Sequence, residues 1–134
     1  MDVQFILLGA AVAAAYLALA EWIGGRLRAP LYGAGLVLVG LISVGFAAAA
    51  GASDWISTEI GGALVFGALA VGGGRRYPPL LALGWALHVG WDVLLHVGPG
   101  TEFVPPWYVP LCVGFDLVVA GGILATSVPV RDPS

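Results

Sequence analysis

Five side chains set the chemical question in this sequence: Glu59, His88, Asp92, His96 and Asp116. Each sits in or at the edge of a long apolar run, and neither Lys nor Arg is embedded among them to balance the acids. A charge at the centre of a bilayer costs about 3 kcal/mol on insertion scales, so such residues need a function or a partner. His88-x3-Asp92-x3-His96 puts three of them on one helix face, because four residues slightly exceed one helical turn. Gly84 continues that face and leaves room for a neighbour. A second stripe at the same spacing is Tyr108, Cys112, Asp116 and Ala120. Two imidazoles and three carboxylates suit a Zn, Fe or Mn ion, whose charge offsets theirs.

The expected division makes His88, Asp92, His96 and Asp116 metal ligands. Glu59 is the general base, and His96 serves either as ligand or as proton carrier. His88 and His96 lie about 12 Å apart along the helix axis. Both reach one ion only if their side chains converge on Asp92; otherwise one supports a ligand from outside, or two ions bind. Competing structural roles stand beside these. Asp92 would hold His88 in one tautomer, Asp116 would anchor one helix to another, and His96 would be a solvated interfacial histidine. Trp85 and Trp91 read as packing residues and Cys112 as a small core residue.

The elements that position these groups are read from composition and breaks. The chain has 134 residues, 60% hydrophobic and 10% charged, against about 25% charged in a soluble domain. It is too poor in polar groups to cover a water-facing surface. Five apolar segments, each near the roughly 20 residues that cross a bilayer, are expected at 3–23, 30–50, 56–73, 79–97 and 108–127. The fold class is therefore an all-α integral membrane protein, a single domain over 1–134 built as a bundle of about five transmembrane helices. Gly- and Pro-containing breaks separate the segments, such as Gly24-Gly25 and Tyr77-Pro78-Pro79. The longest, from Gly98 to Trp107, is placed to cap the site from outside. The first segment lacks a basic leader, starts after Asp2 and is long for a signal sequence, so it is expected to be retained.

All five arginines fall in alternate connections: Arg26 and Arg28, Arg75 and Arg76, and Arg131 in the tail. The other connections carry Asp2, Asp54 and Glu102. The positive-inside rule then predicts an extracytoplasmic N-terminus and a cytoplasmic C-terminus in a multi-pass protein of the cell membrane. Trp22, Trp55, Trp107, Tyr77 and Tyr108 lie near segment ends, as an aromatic belt does. Ala63/Gly67 and Ala68/Gly72 are small-residue pairs suited to close helix packing. Few arginines, no Lys and no basic run argue against nucleic acid, and a single cysteine forbids an internal disulfide.

Depth decides which groups meet. His88 lies roughly 14 Å below the outer end of its helix and Asp116 roughly 12 Å below the start of the next, so the two share a level. Glu59 enters its segment from the same side, near Asp92 and His96. Glu21 lies at the opposite end, where Arg26 or Arg28 is its expected partner.

The run Trp85-Ala86-Leu87-His88-Val89-Gly90-Trp91-Asp92-Val93-Leu94-Leu95-His96, with Cys112-Val113-Gly114-Phe115-Asp116, resembles a family of small uncharacterised bacterial integral membrane proteins. The resemblance covers about a third of the chain and implies a shared fold but no activity. The arrangement alone is loosely similar to alkaline-ceramidase-like and adiponectin-receptor-like membrane metallohydrolases. Those have seven helices and a different ligand order, so no residue role carries over. Sterol isomerases of the emopamil-binding type are similar in having about five helices with buried histidine and acid, without metal, on a different motif.

Three functions follow. The first is a metal-dependent enzyme, hydrolase or oxygenase, with a Zn or Fe ion, acting on a membrane lipid or another apolar substrate from the outer half of the bilayer. The second is a metal-free isomerase moving protons between His and Asp. The third is a proton- or metal-ion transport subunit. Five helices form a transport path only by assembling, so a homo-oligomer belongs to that reading. Haem ligation by His88 and His96 together is excluded within one chain by their spacing.

Overall fold

The computed structural model describes residues 1–127; Arg131, used in the orientation argument, lies outside them. Five helices run up and down: α1 (Val3–Ile23), α2 (Arg28–Ala49), α3 (Ser53–Arg75), α4 (Pro79–Leu95) and α5 (Tyr108–Ser127), with no strand among the described residues. Asp2 caps α1, its carboxylate accepting from the Gln4 N–H at 3.0 Å. Gly24 and Gly25, at φ of 58° and 57°, turn the chain out of α1 in a conformation other residues resist. Pro79 opens α4 at its first position, where a missing N–H costs nothing.

The bounds differ from expectation at three places, each with a local cause. α2 begins two residues before Pro30, which sits within the first turn where no helical donor is needed. α3 reaches from Ser53 to Arg75, with Asp54 in its first turn and Arg75 in its last, both favourable to the helix dipole. α4 ends at Leu95, and His96 leaves helical geometry (φ −108°, ψ 9°) while its N–H still reaches the Asp92 carbonyl at 2.9 Å.

Glycines set which helices approach closely. α1 packs on α5 through Gly9 and Gly114: a Cβ on Gly9 would strike the Leu111 carbonyl, and one on Gly114 the Ile6 carbonyl. α2 packs on α3 through Gly33, against the Ala70 carbonyl, and Gly40, against Ala63. α4 lies against α3, α5 and α2. Gly62 of α3 receives the Trp91 ring, Gly73 receives Leu81, and Gly84 receives Leu36. Of the small-residue pairs picked from sequence, Ala63 does meet a neighbouring glycine, whereas a Cβ on Gly67 would meet open space.

The interior is apolar around Trp85, Leu36, Leu81, Val119 and Ile123, yet Glu59, His88, Asp92, His96 and Asp116 are buried too. The outside is the apolar part: Leu7, Leu64 and Leu94 are 65%, 70% and 80% exposed. Polar groups inside and leucine outside invert the pattern of a water-soluble domain. α1, α3, α5 and the stretch Gly25–Ala49 are long and apolar enough to cross a membrane. α4, at 17 residues, is the short one. Trp22, Tyr77 and Trp107 are exposed near helix ends, but Tyr108 is buried, its hydroxyl donating to the Val39 carbonyl at 3.3 Å and its ring edge-on to Phe46.

Candidate metal centre

The spacing-four stripes of α4 and α5 face each other. His88 Nδ1 lies 2.6 Å from Asp116 Oδ2 and 3.6 Å from Asp92 Oδ2, with all three side chains fully buried. Cys112, one turn before Asp116, completes the group: donor atoms of His88, Asp92, Cys112 and Asp116 all lie within 4.8 Å of one another. Donors held 2.0–2.3 Å from a tetrahedral ion are about 3.3–3.8 Å apart. The set is thus near the required size, with the His88–Asp116 pair drawn together by a hydrogen bond that an ion would open.

Two buried oxygens of this group, Asp92 Oδ2 and Asp116 Oδ1, have no hydrogen-bond partner, nor does His88 Nε2. An unpaired buried polar group costs about 1–3 kcal/mol, and more when charged. Both oxygens belong to carboxylates of the four-donor group, so a cation held there would offset the cost of burying them. No arginine supplies that charge: among the described residues, Arg26, Arg28, Arg75 and Arg76 all lie at the far ends of the helices.

His96 takes a different part. Its Nδ1 is 2.8 Å from Asp92 Oδ1 and its Nε2 is 2.6 Å from Glu59 Oε1. The two ring nitrogens point away from each other, so the imidazole stands between the carboxylates and these three groups cannot share one ion. His96 lies outside the four-donor group and Cys112 lies inside it. Both nitrogens face carboxylate oxygens, so either the ring is an imidazolium donating twice or one acid carries a proton. Glu59 is held from its other side by Trp91, whose Nε1–H donates to Oε2 at 3.3 Å. The polar groups therefore form one chain in space: Asp116, His88, Asp92, His96, Glu59, Trp91.

All five residues singled out from sequence thus come together, from α3, α5 and α4 with its C-terminal cap His96. Glu21 does not join them. It pairs with Arg28 at 3.2 Å and meets the Tyr32 hydroxyl at 3.5 Å, at the opposite end of the bundle. Sequence reasoning passed over two contributors. Cys112 carried a signal, its place one turn from Asp116 on the same stripe. Trp91 carried none, since it sits beside Asp92 and off the His88–Asp92–His96 face.

The α4–α5 connection covers the His96 end of this polar chain. Gly98 and Gly100 turn it at φ of 118° and 85°, Thr101 Oγ1 donates to the Gly98 carbonyl at 2.6 Å, and Trp55 Nε1 ties Gly100 to the start of α3 at 3.1 Å. Phe103 and Trp55 lie against the His96 ring, with centroids 5.8 and 6.3 Å away. Beside them is a pocket of about 310 Å³, lined by His96, Thr101 and Glu102 with apolar residues including Val97, Val104 and Val109. The Glu102 carboxylate, in the loop, is held below the usual range by the backbone N–H groups of Glu102 and Gly100.

Comparison with protein-family models, characterised proteins and solved structures finds no match to this chain.

Proposed function

We propose that this chain is a membrane-embedded, metal-dependent enzyme acting on an apolar substrate, with one divalent zinc or ferrous ion held by His88, Asp92, Cys112 and Asp116. The observation that carries the reading is the four-donor group, fully or almost fully buried, with unpaired carboxylate oxygens and no cationic side chain to satisfy them. One thiolate, one imidazole and two carboxylates suit zinc and iron better than the hard ions, which favour oxygen alone. Four protein donors fill a tetrahedral ion, so a water would join it only by expanding the coordination to five or by displacing one carboxylate; the ion would then lower the pKa of that water towards neutrality. In this reading His96 is the acid–base group that faces the pocket. Glu59 is its proton partner, positioned by Trp91, and Asp92 links His96 to the ion.

The bundle would cross the membrane with the Arg26/Arg28 and Arg75/Arg76 connections in the cytoplasm. The site then lies in the extracytoplasmic half, with Asp54 and Glu102 outside.

Elemental analysis of detergent-purified protein tests the reading. One ion per chain is expected in the wild type and in His96→Gln, and loss of it in His88→Ala, Cys112→Ser and Asp116→Asn. Metal retained in both His88→Ala and Asp116→Asn would make the ligand assignment wrong.

A second reading has its own support. The contacts at 2.6–2.8 Å from Asp116 to His88, and from Asp92 through His96 to Glu59, stand without any ion. That network reaches the pocket at His96. A metal-free isomerase transferring protons through His96 fits it, and a wild-type protein that stays metal-free after incubation with zinc and ferrous salts would favour it over the first.

A further inference from the structure

We propose that the two arginine-bearing connections, at the end of the bundle away from the metal centre, form a binding surface for the phosphate of an anionic phospholipid. The inference uses the membrane crossing proposed above and no part of the metal reading.

Placement comes first. Arg26 and Arg28 lie at the α1–α2 connection, and Arg75 and Arg76 at the end of α3. These pairs are far apart in the chain, but the up-and-down order of the helices returns both to one end of the bundle. The packing of α2 on α3 then brings the two connections into touch. A Cβ on Gly74 would lie 3.9 Å from both the Ala29 carbonyl oxygen and Pro30 Cα. The chain next to Arg28 thus meets the chain next to Arg75, and the two pairs belong to one patch.

Charge selects the ligand. Arg26, Arg75 and Arg76 are exposed, and none pairs with a carboxylate among the described residues. Arg28 differs, since Glu21 holds its Nη1 at 3.2 Å. Glu21 is the one acid at this end among the described residues. Three guanidinium groups without a counter-charge make a field that gathers anions. Each presents a planar fork of donors that matches the oxygens of a phosphate better than an ammonium does.

The flanks favour a lipid over a soluble phosphate. Trp22, Leu27 and Tyr77, in or beside the same connections, are all exposed. Amphipathic rings at helix ends sit at the level of the headgroups, so acyl chains carried by the same phosphate would cover these side chains. Basic groups on the cytoplasmic side of a bundle are suited to such headgroups.

The test immobilises the full chain in micelles of an uncharged detergent and measures retention of radiolabelled dioleoyl-phosphatidylglycerol. Saturation at one lipid per chain is expected, with displacement by the unlabelled lipid and not by dioleoyl-phosphatidylcholine. Millimolar inorganic phosphate or glycerol 3-phosphate should not displace it. Arg26→Gln, Arg75→Gln and Arg76→Gln should each weaken retention about fivefold, the scale of one basic residue at an anionic surface. The triple variant should lose saturable binding. All three side chains are exposed, so the fold should tolerate these changes, and circular dichroism checks that it does. Arg28→Gln should weaken retention less, because Glu21 already engages that group, and Glu21→Gln should strengthen it. Equal retention of phosphatidylcholine, uptake that never saturates, or saturable binding kept by the triple variant overturns the proposal. Displacement by millimolar phosphate or glycerol 3-phosphate also overturns it, by making the patch a site for soluble anions. Metal content of the same samples is independent of every one of these outcomes.

Discussion

Replacing Cys112 by Ser removes one atom type from the candidate centre and little else. The side chain is 3% exposed, its neighbours His88, Asp92 and Asp116 stay in place, and a hydroxyl can donate to a carboxylate oxygen that now lacks a partner. Apo stability should change by less than about 1 kcal/mol. Metal binding should not be spared. Loss of a group that merely supports a metal ligand costs about 10–100-fold in affinity, and loss of a thiolate donor should reach at least the upper figure. The effect on stability then follows from linkage. At free metal 100 times the wild-type Kd, the ion stabilises the wild type by about 2.7 kcal/mol. At the same concentration a variant with a 100-fold weaker site gains about 0.4 kcal/mol. Denaturant unfolding in detergent micelles, followed by tryptophan fluorescence with and without zinc, measures both numbers. Cobalt gives an independent readout, since a thiolate-to-metal charge-transfer band in the near ultraviolet should appear in the wild type and vanish in Cys112→Ser. A variant that keeps the full zinc-dependent stabilisation, or a cobalt spectrum unchanged by the substitution, would remove Cys112 from the ligand set.

Three further outcomes are expected. Asp116→Leu should destabilise the apo protein by about 1–3 kcal/mol more than Asp116→Asn, because the amide still offers His88 Nδ1 an acceptor and leucine does not; unfolding of the two purified variants compares them directly. Gly114→Val should lose roughly 1–3 kcal/mol or prevent assembly of α1 on α5, since its side chain meets the Ile6 carbonyl, whereas Gly121→Ala, with open space around it, should stay within about 1 kcal/mol of wild type. Glu21→Gln should cost less than about 1 kcal/mol and leave metal content unchanged, because its pair with Arg28 is well over a third exposed and stands at the other end of the bundle from the centre.

Helix positions were legible because each break carries its own stop and start chemistry, with Gly24-Gly25 after α1 and Pro78-Pro79 before α4 as the clearest cases. The meeting of His88 with Asp116 was legible for a geometric reason: residues at known distances from a shared end of antiparallel helices have known depth, and a 2.6 Å contact is the result. His96 was expected among the ligands on condition that its side chain and that of His88 converge on Asp92; the structure instead places His96 between Asp92 and Glu59. What depth leaves undetermined is rotation about each helix axis. Cys112 joins the group only because α5 turns its whole stripe towards α4, and Trp91 reaches Glu59 only because Gly62 on α3 leaves a notch for the indole. Helix partnership was illegible for a related reason. Gly9 and Gly114 lock α1 to α5, yet nothing local to either glycine names the other, and Gly67, which looked like a packing residue, faces open space.

The depth of the donor group has a consequence for how the centre would be used. His88, Asp92 and Asp116 are fully enclosed, and Cys112 almost so, while the pocket beside them is lined by His96 and not by those four. A ligand in that pocket therefore meets an imidazole whose far nitrogen is hydrogen-bonded to Asp92 at 2.8 Å, and the ion would act on it through that single ring. In the metal reading this arrangement would account for three acids inside an apolar bundle with no arginine beside them. A fixed cation such as a guanidinium would quench the carboxylates permanently, whereas an ion on one side and a ring able to carry a proton on the other leave Asp92 responsive to both. Coupling of this kind makes His96 separable from metal binding. His96→Gln should retain the ion while altering whatever the pocket does, and a substitution at His88 should lose the ion while leaving the pocket's shape intact.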